Sequence, residues 1–190
     1  MRLQINKIED AKTVNWAHGT STELFVFPAN GNFQTRDFTF RISTATVEAE
    51  ETDFSDFTGL TRILLILEGN LTLIHEGRYT KQLAPFDQDT FDGGWKTKSK
   101  GRVRDFNVMF KEPTTGKVEA VHCKEKEART FALSADYDFF FVQSGVFTFQ
   151  ENKLSTNDLL VVEREKETSI VLNCIEKGSL VKVEISLNKN

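Results

Sequence analysis

The sequence is short of the residues from which disulfide scaffolds, disordered linkers and metal centres are built. Its 190 residues include two cysteines, three prolines and three histidines. Cys123 and Cys174 could form at most one bridge, which is no disulfide framework, so they read as reduced, packed thiols. With few prolines and 27% charged residues the chain does not read as disordered. No apolar run approaches the ~18 residues of a membrane helix, and the opening MRLQINKIED lacks the apolar core of a signal peptide. A cytoplasmic protein is expected. Positive charge is also in deficit, since 24 Lys and Arg against 28 Asp and Glu leave a net charge of −4 and a pI near 5.5. Such a chain has no global attraction for nucleic acid or an anionic membrane, and neither is expected as a partner.

Phenylalanine, by contrast, occurs 17 times against two tyrosines and two tryptophans, which suits packed sheet faces. Around it runs a period of two. Phe38, Phe40 and Ile42 alternate with Thr39, Arg41 and Ser43, and the pattern continues through Ala45 and Val47. Arg41 and Ser43 therefore share a strand face with residues that want burial, and a desolvated guanidinium needs partners. Thr61 to Leu67 is almost wholly aliphatic after Arg62, as in a strand covered on both sides. Asp105, Asn107 and Met109 share one face of a further strand, with Phe106, Val108 and Phe110 on the other.

Elsewhere, Leu3 to Ile8 reads as a short strand, Trp16 to Glu23 as a loop rich in Gly, Ser and Thr, and Asn30-Gly31-Asn32 as a turn. Phe54 and Phe57 lie in a loop and are expected to tuck back onto the sheet. Short strands with turns between them mean an all-β sandwich or barrel. A boundary is expected at 111–116, giving a first domain over 14–112 and a second over 117–190, completed by the strand in 1–13. One motif is used twice: Leu64 to Gly69 followed by Leu71 and Leu73 echoes Phe140 to Gly145 followed by Phe147 and Phe149. In the echo Asp138 stands where Arg62 stands in the first copy.

Several of these residues together resemble a known family. They are Trp16, Gly19 and Thr22-Glu23; Asp37-Phe38 and Phe40 to Ser43 with Ala45 and Val47; Phe54-Ser55, Phe57, Gly59, Arg62, Leu67 and Gly69; and Asp105 to Met109. In that order the set resembles the HutD/Ves family over roughly Trp16 to Met109. The resemblance implies a bicupin, two small antiparallel, jelly-roll-like β-barrels in one chain. It also implies a cytoplasmic small-ligand binder or regulator linked to histidine utilisation or stress response, with no established reaction. The chain departs from the family in a shortened loop, His18 to Thr22, and in Phe40 and Thr58, where tryptophan and proline are common.

Metal-binding cupins carry G-x5-H-x-H-x3,4-E. Gly69 and His75 fit its first half, but Gly77 stands at the second histidine and neither Lys81 nor Gln82 supplies the carboxylate. No metal and no other cofactor is expected, and His75 reads as a hairpin residue near the surface. His122-Cys123 are strand neighbours pointing to opposite faces, and no nucleophile elbow or phosphate loop occurs, so no catalytic residue is assigned. Lys96, Lys98, Lys100, Arg102 and Arg104 alternate as the wet face of an edge strand, a reading preferred to an anionic docking stripe because no aromatics interleave.

The candidate ligand-binding set is Glu23, Arg41, Ser43, Arg62, Asp105 and Asn107, with Thr22 entering through the family motif. Two arginine forks and an amide suit a bidentate carboxylate, and the partner expected is a small anionic metabolite. The plainer alternative is that Arg41 or Arg62 simply pairs with Glu23 or Asp105 to tie the sheet together. Two function classes stay open: a non-catalytic binder, and a metal-independent isomerase or hydrolase with Glu23 or Asp105 as proton carrier. The oligomeric state is left open, a homodimer included.

Overall fold

The computed structural model describes residues 1–166 and 168–188. Its strands, in chain order, are β1 (Arg2–Asn6), β2 (Lys12–Trp16), β3 (Gly19–Phe27), β4 (Phe40–Val47), β5 (Glu51–Asp53), β6 (Thr61–Gly69), β7 (Leu71–His75), β8 (Tyr79–Leu83) and β9 (Gln88–Asp92). They continue as β10 (Thr97–Lys100), β11 (Val103–Phe110), β12 (Thr115–Cys123), β13 (Ala128–Ala132), β14 (Tyr137–Phe149), β15 (Asn152–Leu154), β16 (Leu159–Glu163) and β17 (Ser169–Ser186). Among the described residues the only helical element is a 3-10 turn, Ile8–Asp10, and no helix is long and apolar enough to cross a membrane. The chain forms two compact units, Lys12–Thr115 and Met1–Ala11 with Gly116–Asn190.

In the Lys12–Thr115 unit a six-stranded antiparallel sheet runs β2-β3-β4-β11-β6-β9, and a four-stranded one runs β5-β10-β7-β8. Leu64 and Ile66 of the larger sheet pack with Leu71, Leu73 and Leu83 of the smaller, joined by Val47, Phe91 and Val103. Each such aliphatic side chain contributes about 1.5–3 kcal/mol when fully buried. The sheets are open rather than closed into barrels, because β2 is an edge strand exposed along its length. Residues 16 to 23 are not a loop: β2 and β3 form a tight hairpin in which Trp16 pairs with Gly19 and Thr13 with Thr22. The basic stripe does not lie on an edge strand either. β10 is flanked by β5 and β7, and its cations are matched to neighbouring glutamates, Lys100 to Glu51 at 2.8 Å and Lys96 to Glu76 at 2.6 Å.

In the other unit the sheet runs β1-β16-β14-β17-β12, with β13 on β17 and β15 on β14. Its core gathers Phe140, Val142, Phe147, Leu160, Leu172 and Leu180 around the two buried, unbridged cysteines. The echo between β6 and β14 is visible in the backbone. Gly69 at the end of β6 and Gly145 within β14 both have a left-handed φ, +84° and +82°, and a Cβ at Gly69 would stand 2.4 Å from the Arg102 carbonyl oxygen. Asp138 is buried at the echo position, with Lys182 Nζ 3.5 Å from it. Burial pushes its carboxyl up to about 6 against the pull of Lys182.

His75, expected near the surface, is 1% exposed. It ends β7, and its ring meets Tyr79 and Phe91 at 4.7 Å and Trp95 at 5.4 Å. Its Nε2 donates to Asp89 Oδ2 at 3.0 Å and its Nδ1 meets Thr97 Oγ1 at 2.8 Å. Asp89 also accepts from Tyr79 and Lys81. Burial pushes the Asp89 carboxyl up, but the bonds from Lys81, His75 and Tyr79 outweigh it and hold the group below the usual carboxylate range. This network ties β7, β8, β9 and β10 together. Asp89→Ala strands a buried imidazole N–H and should cost about 2–4 kcal/mol of stability, read from urea unfolding at neutral pH.

Candidate functional site

Sheet register brings the predicted residues into one cavity. Met109 near the end of β11 is opposite Arg41 on β4 and Arg62 on β6, and Asn107 is opposite Ser43. Period two then puts Arg41, Ser43, Arg62, Asp105 and Asn107 on one face. Glu23 joins them through a bulge: the register slips between Glu23 and Phe25, so Glu23 lies against Ser43 while Phe25 stacks on Phe40 on the opposite face. The result is a cavity of about 480 Å³ that includes Glu23, Arg41, Ser43, Arg62, Asp105 and Asn107 in its lining. Thr22 does not reach it. Its hydroxyl bonds that of Thr13 at 2.8 Å on the neighbouring strand.

The two arginines have opposite circumstances. Arg41 Nε donates to Glu23 Oε2 at 2.7 Å and Nη1 to Ser43 Oγ at 2.8 Å, with Phe33 4.1 Å below the guanidinium. Burial lowers its pKa and the bond and charge of Glu23 oppose that change. Arg41 is therefore tied up within the sheet. Arg62 is 6% exposed, and its side chain makes no hydrogen bond to any described residue; its Nε is buried without an acceptor. Its support is aromatic: Phe54, Phe91 and Phe57 lie 4.8, 5.2 and 5.4 Å from the guanidinium carbon. Burial lowers its pKa to about 10, against the attraction of Asp105 and with the repulsion of Arg41.

Asp105 and Asn107 are buried beside it with Oδ1 atoms that accept no hydrogen bond. Burial pushes the Asp105 carboxyl up to about 7, and the charges of Arg62 and Arg104 pull the other way. Arg62 and Asp105 feel each other's charge without forming an ion pair. A polar atom left unsatisfied in this way costs about 1–3 kcal/mol, and here three of them face one cavity. Sequence reasoning missed the cavity's aromatic part, Phe33, Phe54 and Phe57, and its open side at Val14 and Trp16. The loop phenylalanines are visible in the sequence, but only their packing shows that they surround the guanidinia.

The HutD family model matches residues 8–181. The chain belongs to the HutD family. Among solved structures it is similar to PA5104 of Pseudomonas aeruginosa PAO1, a conserved protein of unknown function, with a TM-score of 0.84, 22% identity and coverage of 98% of this chain and 100% of that one. It is also similar to HutD of Pseudomonas fluorescens SBW25, with a TM-score of 0.80, 19% identity and coverage of 99% and 100%. The Escherichia coli pirin YhhW, solved in complex with nickel(II), has a TM-score of 0.74 at 13% identity and coverage of 96% and 98%. The fold is thus cupin-like. No curated protein matches the sequence.

The residues of this chain do not fit the metal of the pirin structure. Among the described residues no group of three His, Cys, Asp or Glu side chains comes together to hold an ion. His75, at the position of the first cupin histidine, has both ring nitrogens engaged by Thr97 and Asp89.

The raised carboxyl of Asp105 has a consequence for stability. Its folded pKa, about 7, lies above the ordinary 3.8, so the folded state holds this proton more tightly than the unfolded state. The stability that proton lends is lost as pH rises through about 7. Asp105→Asn removes the charged form. Relative to the parent, the variant should gain stability between pH 4 and pH 8, with the gain levelling above the folded pKa; denaturant melts of both proteins across that range test this.

Proposed function

We propose that this protein is a non-catalytic binder of a small carboxylate, held in the Lys12–Thr115 unit with its anionic end on Arg62. The observation that carries the reading is the buried guanidinium of Arg62, which has no hydrogen-bond acceptor among the described residues and lines a cavity. A planar fork fixed by three rings is preorganised for a bidentate carboxylate. Arg41, occupied by Glu23 and Ser43, holds the wall rather than the ligand. The cavity suits a metabolite rather than a polymer. The solved Pseudomonas fluorescens HutD is described in a formate condition, and formate is the smallest carboxylate.

In this reading the chain is a bicupin of the HutD/Ves type, cytoplasmic and metal-free, a metabolite-responsive regulator linked to histidine utilisation or stress response. Neither nucleic acid nor membrane is a partner, in keeping with the net charge of −4.

A second reading has one observation in its favour. A carboxyl near neutrality inside a cavity is poised for acid/base work, which would make Asp105 the proton carrier of an isomerase or hydrolase. Against it, Asp105 has no orienting side-chain hydrogen bond among the described residues and the Ser43 hydroxyl is held by Arg41.

The test is thermal shift over a panel of small carboxylates, histidine-pathway intermediates included, since anything bound only to the folded state raises its melting temperature. At least one carboxylate should stabilise the parent and be recovered unchanged, and Arg62→Met should lose the shift and at least about 100-fold in affinity, the scale of a charge-assisted bidentate contact. An unchanged affinity in Arg62→Met overturns the binding role, and recovery of a converted ligand favours the enzyme.

A further inference from the structure

The charges lining the cavity balance before any ligand enters. Lys12 on β2, Arg41 on β4 and Arg62 on β6 face Glu23 on β3, Asp53 on β5 and Asp105 on β11. Lys12 and Asp53 are exposed to water at the rim. Inside, Glu23 cancels Arg41 through a direct bond, and Asp105 is the remaining counter-charge to Arg62. Arg104, next to Asp105 in the chain, is paired with Glu68 at 3.3 Å. The lining contains no histidine or cysteine among the described residues.

A carboxylate arriving on Arg62 would bring a second anion into a desolvated space that holds one unspent cation. Two carboxylates cannot both stay ionised there, because each lacks water and they share a single guanidinium. Asp105 is the carboxyl able to yield: Glu23 is locked on Arg41, whereas Asp105 Oδ1 is buried, unpartnered and free to carry a hydrogen toward the ligand.

Resting on the carboxylate-binding reading, we infer that the cavity takes a monoanionic carboxylate together with one proton, which comes from solvent, resides on Asp105 and is donated as an O–H hydrogen bond to the ligand. Arg62 donates to the ligand's carboxylate, and the filled cavity is again neutral. No bond other than this O–H is made or broken. Asp105 thereby sets the ligand's charge: a monoanion is neutralised by one proton on Asp105, and a dianion leaves one charge uncompensated.

Propionate serves as the probe, since its own carboxyl stays ionised above pH 6. Calorimetric titration at pH 8 in two buffers of different ionisation enthalpy should show uptake of close to one proton per propionate. The dissociation constant should rise by about tenfold for each pH unit above the Asp105 pKa. Asp105→Asn, which keeps the shape of the protonated acid and a hydrogen-bond donor, should bind propionate at pH 8.5 at least about tenfold more tightly than the parent, with the pH dependence gone. Propionate binding that is flat from pH 6.5 to 8.5, or that proceeds without proton uptake, overturns the inference and leaves the carboxylate reading standing. So does a folded Asp105→Asn protein that no longer binds propionate, because a neutral donor at this position would then not be what the ligand needs. Propionate binding to neither protein at pH 6 overturns the carboxylate reading itself and the inference with it. If Asp105→Asn does not fold, the two-buffer titration of the parent decides alone.

Discussion

The desolvation of Arg62 is the constraint around which the Lys12–Thr115 unit is arranged. A guanidinium taken out of water loses solvation that aromatic faces restore only in part. Phe54, Phe57 and Phe91 fix its position, and Asp105 steadies its charge from beyond contact distance. None of these supplies a hydrogen-bond acceptor. The contrast with Arg41, one position across Met109, is instructive. The same side chain on the same sheet face is engaged by Glu23 and Ser43, so the unmatched state of Arg62 is not a property of the sheet but of what has been left away from it.

The rest of the unit holds that arrangement still. The bulge at Leu24 turns Glu23 inward onto Arg41, which keeps Arg41 from competing for whatever Arg62 receives. Leu64 and Ile66, along the same face as Arg62, fill the space between the sheets, so the cavity lies beside that core, toward β2, β3, β4 and β5. Beyond that core the His75–Asp89 network is complete, with every named polar atom paired. Within this unit the His75–Asp89 network is satisfied, and the buried side-chain atoms left unsatisfied among the described residues belong to Arg62, Asp105 and Asn107 of the cavity, the distribution expected of a preorganised site.

Strand parity is legible in the sequence because one face of each strand is committed to the core. Parity alone groups Arg41 with Ser43 and Asp105 with Asn107, and it marks Arg62 as the odd member of an aliphatic strand. Parity does not say which arginine is paired. The Glu23 side chain reaches Arg41 through a bulge, and a bulge leaves no mark in an alternation that is already broken by Thr20, Ser21 and Thr22. His75 defeats a sequence reading for a related reason: a histidine beside a turn signal looks wet, and the carboxylate that buries it, Asp89, is far along the chain. The basic stripe resembles an edge because one flanking strand, β5, is only three residues long and the matching glutamates, Glu50, Glu51, Glu68 and Glu76, come from separate segments. The resemblance to the family includes many of the cavity residues, and the family holds while the closed barrels it implies do not.

The central claim is that Arg62 is held unmatched, at a cost to stability, for a ligand. Equilibrium urea unfolding without ligand at pH 6, comparing Arg62→Met with Arg41→Met, tests it most directly. Below its folded pKa Asp105 is neutral and needs no counter-charge, so Arg62→Met should be as stable as the parent or more so. Arg41→Met strands the Glu23 carboxylate and should lose about 3–5 kcal/mol. A loss in Arg62→Met as large as that in Arg41→Met would make Arg62 a structural residue and contradict the account.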